Sequence, residues 1–278
     1  MDQLTLSKIL MKLGDLPSLP QVTHQLVRLT EDSRANSADV SRIICQDQVL
    51  ASKVLKMVNS AYYGMHRRVA TISEAVTILG MKTLRTLVLG ASVHKTLSSL
   101  KGRRAVNPEK IWRHSYACAV SSKLLAHKMG VLEKEQIFIA GLLHDIGKIV
   151  FNFFLPDDYA EAVRFAAAKG CSLYQAEKEV FNLTHTDIGR LVAEKWNLPS
   201  ALVDPIGLHH TPLAPCENPK TVQVVYFGSI LAVLAGYSEI GNNSIMLDNK
   251  MLEKWSLTYE MLHKMAEEIR GNISVDFL

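Results

Sequence analysis

The sequence predicts an all-α protein, and three observations carry the prediction. Apolar residues recur at helical spacing: Leu50, Val54, Met57 and Val58 stand at i, i+4, i+7 and i+8, and Leu84, Leu87, Val88 and Ala91 form a second such stripe. Start and stop signals punctuate these stripes. No run of strict alternation lies between turn signals. Taken in order, Thr71-Ile72-Ser73-Glu74 reads as a capping box, and Gly80 ends or interrupts that helix. Asn107-Pro108 sets an N-cap before a proline at the first helical position, and Gly130 closes that helix. Ser172-x-x-Gln175 and Thr184-x-x-Asp187 open two more. Asn218-Pro219 repeats the asparagine-proline device, with Gly236 as the stop. A final helix over 258–270 puts Leu262, Met265 and Ile269 on one face.

Composition bounds the rest. The 278 residues are 48% apolar and 21% charged, ordinary globular usage, so the chain can bury a sizeable core and bulk disorder is excluded. A net charge of +4 is too weak and dispersed to argue for nucleic acid. Lys101, Arg103, Arg104, Arg67 and Arg68 read as solvated surface. Cys45, Cys118, Cys171 and Cys216 form no C-x-x-C pair, which argues against a disulfide framework or zinc ribbon and for a reducing cytoplasm. The first fifteen residues, MDQLTLSKILMKLGD, have neither the basic nor the apolar region of a signal peptide. The most apolar stretch, 137–155, is interrupted by His144, Asp145 and Lys148, so it reads as a core helix and its exit, not a membrane span. The basic, glycine-containing Leu100-Lys101-Gly102-Arg103-Arg104 is the best internal boundary. The expected organisation is an N-terminal helical lobe over 1–103, a helical bundle over 104–236 and a C-terminal helical extension over 237–278.

Most histidines fall in the second block. Four segments there offer metal-ligand chemistry: His114, His144-Asp145, His185 and His209-His210. His114 shares a stripe with Ile111, Cys118 and Leu125, and His144 shares one with Ile137, Ala140 and Gly141, so both should face the core. Asp145 lies about 100° further round the same helix, where a docked metal can take a ligand from both flanks. Alone, each histidine reads as an ordinary core or surface residue. Together, inward polar groups on separate apolar helices need partners, and a metal is an efficient shared one. A mixed imidazole and carboxylate set suits iron, manganese or zinc, as one or two ions. Lys148 alone reads as a solvated lysine.

GLLHDIGKIVF (141–151) resembles the central motif of the HD superfamily of metal-dependent phosphohydrolases. The match narrows through DLPSLPQV (15–22), IICQDQVLASKVLKMVNSAYYG (43–64), TISEAVTILGMKTLRTLVLG (71–90), THTDIGRLVAEKWNLP (184–199) and LHH (208–210). Together they closely resemble the HD-related output domain family, HDOD, over roughly residues 14–235. The resemblance implies a helical lobe packed on an HD-like bundle, and a role in bacterial signal transduction through signalling partners or a phosphate-containing small ligand. No membrane or nucleic-acid partner is expected. It further implies metal ligation by His114, His144, Asp145, His185, His209 and His210, and an Asp145–Lys148 pair for any catalysis, the lysine approaching substrate phosphate.

Three departures qualify it. The closing metal-ligand aspartate of the HD pattern falls on Ser229, or on Gly228 one position earlier. No GYP sequence follows His209-His210, which argues against cyclic-dinucleotide hydrolysis. Asp47-Gln48 stands where the family commonly has Asp-Pro, a change at a helix start. The expected function is regulation by interaction, with Asn59, Tyr62, Tyr63 and Gly64 as a candidate contact surface. An ordinary helix-capping role for Asn59 is the competing reading. A metal-dependent phosphohydrolase is the alternative function.

Overall fold

The computed structural model describes residues 11–23, 25–26, 36–59, 65–239, 245 and 247–272, and among these there are helices and no strands. The chain divides into two compact units, one of residues 17–100 with 272–278, the other of 1–16 with 101–271.

The smaller unit contains α1 (Ser37–Ile44), α2 (Gln48–Val58), α3 (Ile72–Leu79) and α4 (Met81–Ser98). The two apolar stripes read from the sequence are its core: Leu50, Val54, Val58, Leu84, Leu87 and Val88 are fully buried. Asp47 caps α2 and pairs with Lys95. Asn59 clasps the chain after α2, accepting from Val69 N at 2.7 Å and donating to Leu55 O and Val69 O. That is the capping reading of Asn59. Tyr62, Tyr63 and Gly64 lie outside the described residues. The capping box at Thr71 forms by half: Thr71 accepts from Glu74 N, but the Glu74 carboxylate reaches Ala70 N instead of Thr71 N.

The larger unit contains α5 (Pro108–Lys128), α6 (Lys134–Leu143), α7 (Ile146–Phe154), α8 (Pro156–Lys169), α9 (Leu173–Phe181), α10 (His185–Lys195), α11 (Ser200–Leu208), α12 (Pro219–Leu234), α13 (Asn249–Trp255) and α14 (Tyr259–Asn272). Helix α5 packs chiefly on α6 and α12, and α10 on α7 and α11. The capping boxes at Ser172 and Thr184 form as expected. Asn218 differs. It makes no side-chain cap on α12; its N–H and Nδ2 both donate to Asp204 on α11. Leu262, Met265 and Ile269 are buried on α14, and the Arg270 guanidinium donates to Leu234 O and Ala235 O at the end of α12.

Glycines set the helix spacing. A Cβ on Gly141 would lie 2.8 Å from Ala119 Cα of α5, and one on Gly147 would lie 1.9 Å from His185 O. On Gly228 it would lie 1.9 Å from Ser122 Oγ. At these glycines α5 meets α6, α7 meets α10, and α5 meets α12, backbone to backbone or nearly so.

The stretch 137–155 is not one helix. α6 ends at Leu143 and α7 starts at Ile146, because Asp145 leaves helical geometry at φ −101°, ψ 17°. Residues 134–154 are long and apolar enough to cross a membrane, but 89% of an 18-residue apolar window within them is buried inside the protein.

Candidate metal centre

The break between α6 and α7 positions the site. His144 and Asp145 occupy the corner and turn together toward the bundle interior. His114 comes from α5, His185 from the first turn of α10 and His209 from the end of α11. All five are at most 2% exposed. Each Asp145 oxygen faces two imidazoles. Oδ2 is 3.2 Å from His144 Nε2 and 3.5 Å from His114 Nε2. Oδ1 is 3.4 Å from His185 Nε2 and 3.6 Å from His209 Nε2. The sequence-predicted ligands fall into two ligand groups, His114-His144-Asp145 and His185-His209-His210. His210 is the one exposed member, its ring stacked on Tyr174 at 4.4 Å.

The outward nitrogens explain why the inward ones are suited to a cation. His114 Nδ1 donates to Tyr237 O at 2.8 Å, His144 Nδ1 to Gly141 O at 2.7 Å, His185 Nδ1 to Glu177 Oε2 at 2.6 Å and His209 Nδ1 to Pro205 O at 3.0 Å. A neutral imidazole has one N–H, so a ring whose Nδ1 donates outward turns its Nε2 lone pair toward the Asp145 carboxylate. His185 Nε2 and His209 Nε2 are 3.3 Å apart, and with each Nδ1–H turned outward a pair of neutral rings would have no proton between them. Two nitrogens at about 2.05 Å from one tetrahedral ion would be separated by about 3.3 Å. His144 Nε2 and Asp145 Oδ1 are buried without a hydrogen-bond partner among the described residues. These residues fit a divalent transition ion, held by nitrogen and oxygen donors whose outward partners fix the tautomers.

Lys148 is not a surface residue. It is 6% exposed, with Nζ donating to Asp145 Oδ2 at 2.8 Å and to Glu239. Burial alone would raise the Asp145 pKa, but His144 and Lys148 outweigh it and hold the group well below the carboxylate range. Burial opposes the Lys148 charge too, and Asp145 and Glu239 overcome it, raising that pKa. Glu239 is likewise disfavoured by burial, yet Lys148 draws it down to about 2. Glu177, buried, is pushed up to about 8.

Sequence reasoning missed two carboxylates. Glu177 carried a signal, since it falls on the α9 stripe of Leu173, Ala176 and Phe181, all buried. Glu239, beyond the end of α12, carried none. Ser229 is the site-facing position of α12, its Oγ 3.3 Å from His114 Nε2, whereas Gly228 is the packing glycine against α5. A cleft of about 80 Å³ adjoins the centre, with Lys148, Tyr174, His210, Tyr226, Ser229 and Glu239 in its wall.

The pKa shifts predict a stability maximum for metal-free protein. Burial lowers the His144 pKa to about 4 and the His185 pKa well below the imidazole range, so both stay neutral in the fold. Unfolded, each binds a proton below about pH 6.5, so stability falls with acidity at about 1.4 kcal/mol per pH unit per imidazole. Glu177 has the opposite sign. Its pKa is raised on folding, so its contribution is complete below about pH 4.5 and is lost as pH rises to about 8. Two imidazoles outweigh one carboxyl on the acid side and only the carboxyl acts on the alkaline side. Thermal unfolding of the metal-free chain should therefore peak near about pH 6.5, and Glu177→Gln should flatten the alkaline limb.

The fold is an all-helical bundle that gathers histidines from separate helices around one buried aspartate. The chain belongs to the HDOD domain family, whose model matches residues 16–212. It is 29% identical over 222 residues to an uncharacterised protein of Treponema pallidum (strain Nichols), covering 79% of this chain and 42% of that one, so it spans less than half of that relative. Its fold is similar to that of an HDOD domain protein of unknown function from Geobacter sulfurreducens, with a TM-score of 0.75 and 24% identity, covering 99% of this chain and 91% of that one. It is also similar to a putative phosphohydrolase from Shewanella amazonensis SB2B, with a TM-score of 0.66 and 25% identity, covering 94% and 98% of the two chains. A third relative is a putative signal transduction protein from Marinobacter aquaeolei VT8, at 0.72 and 20%, covering 92% of this chain and 57% of that one.

Proposed function

We propose that this HDOD protein is a bacterial regulatory module built around a working transition-metal centre, acting through a protein or small-ligand partner. The observation that carries the reading is the His185–His209 pair, two lone pairs facing each other at 3.3 Å beside Asp145 Oδ1. The primary ion is held by Asp145, His185, His209 and His210. The His114-His144-Asp145 group is the weaker one, because Ser229 supplies a hydroxyl where a carboxylate ligand would complete it. Iron, manganese and zinc all suit the donors.

The second reading, a phosphohydrolase, is favoured by Lys148 beside Asp145 at the cleft. A bound ion would supply Lewis acidity and a water of lowered pKa. Asp145 would hold the ligand groups together and Lys148 would stabilise charge on a phosphoryl oxygen. A cleft of about 80 Å³ suits a phosphate-sized group and is far below the roughly 300–1,000 Å³ of pockets for larger ligands.

Ser229→Asp separates the two ligand groups. The wild type should carry one tightly held ion per chain by native mass spectrometry, and Ser229→Asp should carry two. An unchanged stoichiometry in a folded variant would contradict the ranking of the groups. Turnover of phosphomonoesters by the manganese- or iron-loaded wild type would favour the hydrolase over the regulatory reading.

A further inference from the structure

We propose that Glu239 is a built-in counter-anion on Lys148, which an incoming oxyanion must displace before the cleft can take it. The chain is turned back onto the site just after α12. Gly236 adopts φ +94°, Tyr237 N bonds Ala232 O, and Tyr237 O accepts from His114 Nδ1. Two residues on, Glu239 is 3% exposed and accepts from Lys148 Nζ. Its second oxygen, Oε2, is buried with no hydrogen-bond partner among the described residues, 3.7 Å from His114 Nδ1.

The ammonium of Lys148 therefore lies between two carboxylates. Asp145 belongs to the metal centre and leaves Lys148 poised at the cleft; Glu239, itself part of the cleft wall, then neutralises it. A phosphate entering meets a lysine already paired and a carboxylate of its own sign in the same small space. Buried like charges repel strongly at such range. The ligand class this selects is a small oxyanion able to replace one carboxylate on one ammonium. The inference deepens the metal-centre reading and rests on it only for the metal-loaded form.

The test is calorimetric titration of inorganic phosphate into the full chain, metal-free and metal-loaded, with metal content measured on the same samples. Glu239→Gln keeps the side-chain shape and removes the charge. It should bind phosphate about tenfold or more tightly than wild type in both forms, and adding Lys148→Met should abolish the gain. Unchanged or weaker phosphate binding by folded Glu239→Gln overturns the proposal, as does a gain that survives loss of Lys148. Should Glu239→Gln fail to fold, Glu239→Asp retreats by one methylene with its charge kept; it should still tighten phosphate binding, and no gain there overturns the proposal equally. A metal-free wild type that resists loading, beside a phosphate gain in the variant, would defeat the metal reading and leave this one standing.

Discussion

Asp145→Ala is expected to strip the protein of metal while leaving it folded. Both carboxylate oxygens are in use, each facing two imidazoles, so one substitution removes the oxygen donor shared by the two ligand groups. Removing partners that merely orient ligands costs about 10–100-fold in metal affinity, and a shared ligand should cost at least about 100-fold. The fold should survive because Lys148 keeps Glu239 as a counter-charge, and because the crowding of lone pairs on Asp145 is relieved. Competition against a chelating dye measures the affinity, and circular dichroism controls for folding. Metal content at the wild-type level in the folded variant would contradict the placement of Asp145 at the centre.

Gly147→Ala should be the most disruptive small substitution in the bundle. Its Cβ would stand 1.9 Å from His185 O and 2.8 Å from Gly189 N, both backbone atoms that no rotamer change can clear. Helices α7 and α10 would have to part, carrying His185 away from Asp145. Overpacking typically costs about 1–3 kcal/mol and sometimes more, and an obstruction by rigid backbone belongs at or above the upper end. Unfolding midpoint and metal affinity should fall together. Gly170→Ala is the control. Gly170 has φ +62° and open space around its missing Cβ, so the change costs only backbone strain, about 1 kcal/mol, with metal affinity untouched. Equal effects of the two variants on metal affinity would remove Gly147 from its positioning role.

Much of this protein was legible in its sequence, and the exceptions have physical causes. Helix starts at Asn107, Ser172 and Thr184 were readable because capping is local chemistry between neighbours. The convergence of His114, His144, Asp145, His185 and His209 was readable because polar side chains on apolar stripes are conspicuous, and the family resemblance ordered them. The corner at His144-Asp145 was not readable, because apolar residues continue through it at helical spacing and only the Asp145 backbone departs. That corner replaces the expected 100° divergence of the two side chains by convergence. Taken alone Lys148 looked like any surface lysine, and only the family resemblance gave it a role; its burial is set by Asp145 and by Glu239, ninety-one positions away in the chain. The choice between Gly228 and Ser229 depended on which residue meets Ser122, a contact between α12 and α5 that no local pattern encodes.

Elemental mass spectrometry of untagged protein, purified anaerobically, is the most direct measurement. Opposed Nε2 lone pairs of His185 and His209 beside Asp145 predict one tightly held transition ion per chain, with a second at partial occupancy, and none in Asp145→Ala. Protein that stays metal-free after reconstitution with iron, manganese and zinc would contradict it, and would leave the buried histidines as packing groups alone.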